Sequence, residues 1–235
     1  IVGVLVAVII VLGWSRFPGS GARTAAIVLG VLTLGLAWLG VYTPSTMPIV
    51  TVANVAGGMA MVAIALWLAN RMGPIQRRHD RFWQVLLALL AVQVVLGAAL
   101  AGSYSALACE GLMGCSSASL AGAFEGIASL IQPVMLPLEP AAVQSALRKT
   151  LHMLHRYGAV VVAAVVIAYA LRHVRSTIVA SLLLILLVVD AGLGIVMVTR
   201  PLSLDAAVLH NAMAGILVGA VAMFPGRASR MPSPS

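Results

Sequence analysis

Residues 24–70 read TAAIVLGVLTLGLAWLGVYTPSTMPIVTVANVAGGMAMVAIALWLAN and contain no charged side chain. A helix needs about 20 apolar residues to cross a hydrocarbon core of about 30 Å, so this run holds two crossings. Residues 176–189 form a second run without a charge. The whole chain agrees: of 235 residues 62% are hydrophobic and 9% charged, with a mean hydropathy of +1.09. A soluble domain carries about a quarter charged residues, so a water-soluble fold is excluded. The fold class is all-α, a polytopic membrane protein.

Apolar runs bounded by charges, Gly and Pro predict seven spans, at about 1–15, 23–42, 49–70, 83–101, 150–171, 176–198 and 203–224. No period-2 alternation suggests a barrel, and backbone groups in lipid are then satisfied only within helices. Alternating the connections gathers Arg16, Arg23, Arg71, Arg77, Arg78, Arg81, Arg172, Arg175, Arg227 and Arg230 on one side, against Arg148, Lys149 and Arg200 on the other. By the positive-inside rule the C-terminus is cytoplasmic, and loops 43–48, 102–149 and 199–202 are extracytoplasmic. The formal charge of +8 therefore marks topology in a lipid bilayer, not a nucleic-acid surface. The chain opens at Ile1 within an apolar run, which predicts an eighth helix upstream.

Shifting the sequence by 154 residues places Leu39-Gly40 on Leu193-Gly194 and Met59-Ala60 on Met213-Ala214, as in two four-helix halves. The expected organisation is an N-terminal half-bundle over 1–72, a basic cytoplasmic linker over 73–82, a C-terminal bundle over 83–224 and a disordered tail over 225–235. The apolar stretch from Leu120 to Leu138, interrupted by Glu125, Pro133 and Pro137, reads as a short interfacial helix.

All five histidines lie in or after the central linker. His155 falls about 8 Å below the outer end of the fifth span, and His210, seven residues into the last, lies at nearly the same depth. Two imidazoles at one level in a bundle are placed to hold a haem iron from both sides; the competing reading is a hydrogen-bonded helix histidine for each. His152, on the face of His155, could be a second ligand, a proton donor or a gate near the outer surface, and is counted with the haem-binding residues in a hydrogen-bonding role. Arg156 and Arg200, with Arg148 and Lys149, lie where haem propionates could be neutralised, or are interfacial anchors. His79 and His173 read as solvated. Gln93 and Asp190 each stand four residues before a glycine, Gly97 and Gly194, and an acid within a span needs an Arg, His or proton as partner. Cys109 and Cys115 read as a loop-stapling disulfide in preference to a redox-active dithiol.

Three features carry a family likeness: Ser105-Ala106-Leu107-Ala108-Cys109 leading to Cys115, Leu154-His155-Arg156, and Leu193-Gly194-Ile195 through Pro201 to Leu209-His210. Over about residues 83–224 their order and spacing resemble the haem A synthase family of bacterial and mitochondrial membranes, here as a divergent, N-terminally incomplete member. The resemblance implies eight helices in two pseudo-symmetric halves, a b-type haem on His155 and His210, and a Cys109–Cys115 disulfide. It implies oxidation of the C8 methyl of haem O to the formyl of haem A, with the substrate in the N-terminal half, in a bacterial plasma membrane. Ala56 stands where a substrate-haem histidine is expected, and no catalytic residue is assigned. The alternative is a haem b electron-transfer or structural subunit with possible respiratory-complex partners.

Overall fold

The computed structural model describes residues 1–16, 19–42, 46–72, 80–109, 111, 115, 127–135, 145–174, 176–200 and 204–224. Among these residues seven α-helices follow one another: α1 (Val2–Gly13), α2 (Gly19–Leu39), α3 (Pro48–Met72), α4 (Arg81–Gly102), α5 (Ala146–Arg172), α6 (Thr177–Thr199) and α7 (Leu204–Met223). Among the described residues there is no strand. Six helices, α2 to α7, are long and apolar enough to cross a membrane; the first expected span is the 12-residue α1. This is an integral membrane protein.

Local chemistry sets the helix starts. Pro48 opens α3, where its missing N–H costs nothing. Asp80 caps α4 by accepting from Trp83 N at 2.7 Å, and Ser176 caps α6 by accepting from Val179 N. Outward faces stay apolar throughout: Val160, Leu171, Ile178, Ile185 and Val188 are all exposed, which lipid tolerates and water does not.

Helices α4, α5, α6 and α7 form a ring in which each packs on the next and α7 returns to α4; α3 lies against α4 and α7, and α2 against α3. Leu86, Val166, Leu183 and Val221, one from each ring helix, are fully buried in a single cluster with Trp83 and Tyr169. That cluster occupies the end of the ring where α4 and α6 begin. Lipid gives no hydrophobic drive for helix association, so close packing and interhelical hydrogen bonds must hold it. A Cβ at Gly219 would lie 2.6 Å from Leu66 Cδ1, so α7 approaches α3 closely. Trp83 Nε1 donates to Val221 O at 2.8 Å and Tyr169 Oη to Phe224 O at 2.6 Å. His173, expected to be solvated, instead stacks on Phe82 at 4.5 Å and sets Nδ1 3.1 Å from Asp80 Oδ2.

The opposite end of the ring carries the long α4–α5 connection. Within the stretch expected to be an interfacial helix, Ile127–Ile131 form a short 3-10 turn. Val134 N then donates to Thr46 O at 3.0 Å, tying this connection to the approach to α3. The remainder of that stretch, His79, Pro201 and the tail lie outside the described residues.

Candidate metal centre

At the end of the ring bearing the long connection, α5 and α7 carry His155 and His210. They sit on opposite sides of the ring, so their side chains meet across its interior. Their ring centres are 6.4 Å apart with planes at 89°. Two imidazoles bonded through Nε2 to one iron at about 2.0 Å, with about 1.2 Å from each Nε2 to its ring centre, need centres about 6.4 Å apart. The pair has the spacing for axial ligation.

The other two helices fix the rings. Asp190 on α6 receives His210: its carbonyl oxygen lies 3.0 Å and its Oδ1 2.9 Å from Nδ1. A proton on Nδ1 leaves Nε2 as the metal-binding lone pair. Gln93 on α4 holds His155, with Nε2 3.0 Å from Nδ1 and 2.9 Å from the His155 carbonyl, to which it donates; in this orientation an amide N–H meets Nδ1 as acceptor, which leaves the ring proton on Nε2. Its Oε1 is buried without a hydrogen-bond partner. A half-turn of this amide would offer Oε1 to a proton on His155 Nδ1. Each ring also lies against a glycine of its partner helix. A Cβ at Gly97 would stand 2.9 Å from His155 Cε1, and one at Gly194 3.5 Å from His210 Cε1. Gly158, one turn along α5, leaves room for the Gln93 amide, which a Cβ there would strike.

Above His155, the chain folds back onto the start of α5. Tyr104 reverses it in the left-handed region, at φ 55°, and Cys109 and Cys115 are joined by a disulfide with Cα atoms 5.2 Å apart. Met153 packs against this pair. His152 is buried and donates from Nδ1 to Ser105 O at 3.0 Å. Arg148 Nε donates to Ser103 O at 2.6 Å, and Arg156 Nη2 to Gly111 O at 2.8 Å. Both arginines therefore brace the disulfide loop on α5. Arg200 is exposed where α6 ends.

Among the described residues no group of three or more His, Cys, Asp or Glu could hold a bare metal ion. Two axial imidazoles suffice where a porphyrin supplies the equatorial nitrogens. Next to Ala56 in sequence, Gly57 on α3 receives Leu36 of α2: a Cβ at Gly57 would lie 2.7 Å from Leu36 Cδ2.

Residues 1–222 match the family model COX15-CtaA, described as cytochrome oxidase assembly protein. The chain belongs to the haem A synthase family. It is similar to the heme A synthase of Shewanella oneidensis, 32% identical over 210 residues that cover 82% of this chain and 62% of that protein. The chain thus spans under two thirds of this relative's length. The spacing in the sequence already singled out Gln93, Gly97, Asp190 and Gly194, but not the histidine rings that lie against the two glycines. The carbonyls of Ser103, Ser105 and Gly111 were missed, since nothing in a side chain marks which backbone oxygens a loop will present.

Proposed function

We propose that this member of the haem A synthase family holds a b-type haem between His155 and His210 and oxidises the methyl group of haem O to the formyl of haem A. The observation that carries the first part is the 6.4 Å separation of two rings whose Nδ1 atoms each face a partner on a neighbouring helix. His155 and His210 would hold the haem between them, and a haem so held would supply electron transfer in place of oxygen binding. Conversion of a methyl to a formyl group removes four electrons, so a relay within the bundle suits the reaction. Asp190 and Gln93 hold the two imidazoles across the ring, while the packed helices around them limit water.

The arginine distribution supports an orientation with the disulfide loop extracytoplasmic and the C-terminus cytoplasmic in a bacterial plasma membrane. Arg200, Arg148 and Arg156 then lie on the side where haem propionates would be neutralised, with Arg148 and Arg156 also bracing the loop. Haem O is taken to bind in the N-terminal half. There the methyl side chain of Ala56 offers no ligand to an iron.

Expression in a host that makes haem O but lacks its own haem A synthase tests the activity. Acid extraction and chromatography of membrane haems are expected to show haem A. Haem B and haem O without haem A would overturn the catalytic proposal.

A further inference from the structure

The two histidines are backed by chemically different groups. His155 Nδ1 faces the neutral amide of Gln93 at 3.0 Å, whereas His210 Nδ1 lies 2.9 Å from a carboxylate oxygen of Asp190. The carbonyl oxygen of Asp190 already satisfies the ring proton at 3.0 Å, so the carboxylate is not required to orient the imidazole. An acid inside a membrane helix is costly and needs a reason to be there. Its side chain is 18% exposed beside a His210 ring of similar exposure, so water screens the pair little.

We propose that Asp190 is a positioning residue whose carboxylate makes His210 the stronger donor of the axial pair and thereby sets the reduction potential of the bound haem. This rests on the bis-histidine reading above. The carboxylate Oδ1 takes no hydrogen bond of its own; its negative charge beside the ring strengthens the Nδ1–H bond to the carbonyl and raises electron density at Nε2. The added density, like the negative charge itself, favours the ferric over the ferrous state. Asp190 thus lowers the potential, and Gln93 exerts no such pull on the other side.

The test is Asp190→Asn in the whole chain, purified in detergent and titrated by spectroelectrochemistry. Asparagine keeps the backbone carbonyl and the side-chain shape but removes the charge. Removing one negative charge this close to a partly buried, weakly screened ring puts the expected effect at about tenfold in the ferrous-to-ferric ratio at fixed ambient potential. For a one-electron couple that is a rise of about 59 mV. A low-spin haem retained with unchanged potential would overturn the proposal and leave the bis-histidine reading intact. Should the Asn variant emerge without haem, Asp190→Glu decides. Haem bound with a potential near the parent's supports a role for charge, and haem lost there too contradicts it. Absence of a low-spin bis-histidine spectrum in the unaltered protein would instead defeat the underlying reading.

Discussion

Replacing Gly97 by Ala places a methyl group 2.9 Å from His155 Cε1, 3.4 Å from Nδ1 and 3.7 Å from Nε2. Carbon atoms rest at about 3.5–4.0 Å, so the ring must retreat by roughly 0.5 Å or more. It has little freedom to do so, being held at 3.0 Å by Gln93 on one edge and required to keep its 6.4 Å spacing to His210. Overpacking of this kind costs about 1–3 kcal/mol, equivalent to about a 5- to 150-fold loss of haem affinity. Gly194→Ala is the internal control. Its methyl group would meet His210 Cε1 at 3.5 Å, an ordinary contact. That variant is expected to hold haem as tightly as the parent and to gain up to about 1 kcal/mol of helix stability. Haem transfer from each purified protein to excess apomyoglobin reads the difference directly. Equal transfer rates for the two variants, or faster loss from Gly194→Ala, would refute the reasoning.

Two further outcomes follow from contacts away from the rings. Removing the Cys109–Cys115 disulfide by a double Ser substitution frees a short loop and is expected to cost about 2 kcal/mol, read as a lowered melting temperature in detergent. The haem spectrum of that variant is expected to persist, because Arg148, His152 and Arg156 still bind the loop carbonyls; a collapsed spectrum would contradict this. Tyr169→Phe removes the bond to the Phe224 carbonyl at the far end of the ring. Interhelical hydrogen bonds in membranes average about 0.6 kcal/mol, so a small loss of stability with unchanged haem content is expected, and a haem defect would contradict the separation of core and site.

The architecture was legible because hydropathy is a collective signal: charge-free runs of helical length mark spans whatever their neighbours do. The depth of the two histidines was legible for a similar reason, since helix rise converts sequence position into height. Rotation about each helix axis was not. Helices such as α3 and α7 are apolar on all sides, so no hydrophobic stripe tells which face turns inward. Gln93 and Asp190 could be matched by their spacing to a following glycine, yet that His155 and His210 are their partners emerges only when the ring closes. His173 was misread as solvated because Phe82 and Asp80, which stack on it and pair with it, stand at α4, about ninety residues earlier in the chain. The loop over α5 was opaque because it turns on Tyr104, a left-handed non-glycine residue with no sequence mark.

The central claim is that His155 and His210 are the two axial ligands of one haem, held with their planes near perpendicular. Low-temperature electron paramagnetic resonance of the oxidised protein tests it most directly. Perpendicular imidazole planes leave the two iron orbitals that overlap them nearly equal in energy, so a highly anisotropic low-spin signal is expected, lost on His210→Ala. An ordinary rhombic or high-spin signal in the parent, or an unchanged signal in the His210→Ala variant, would contradict the account.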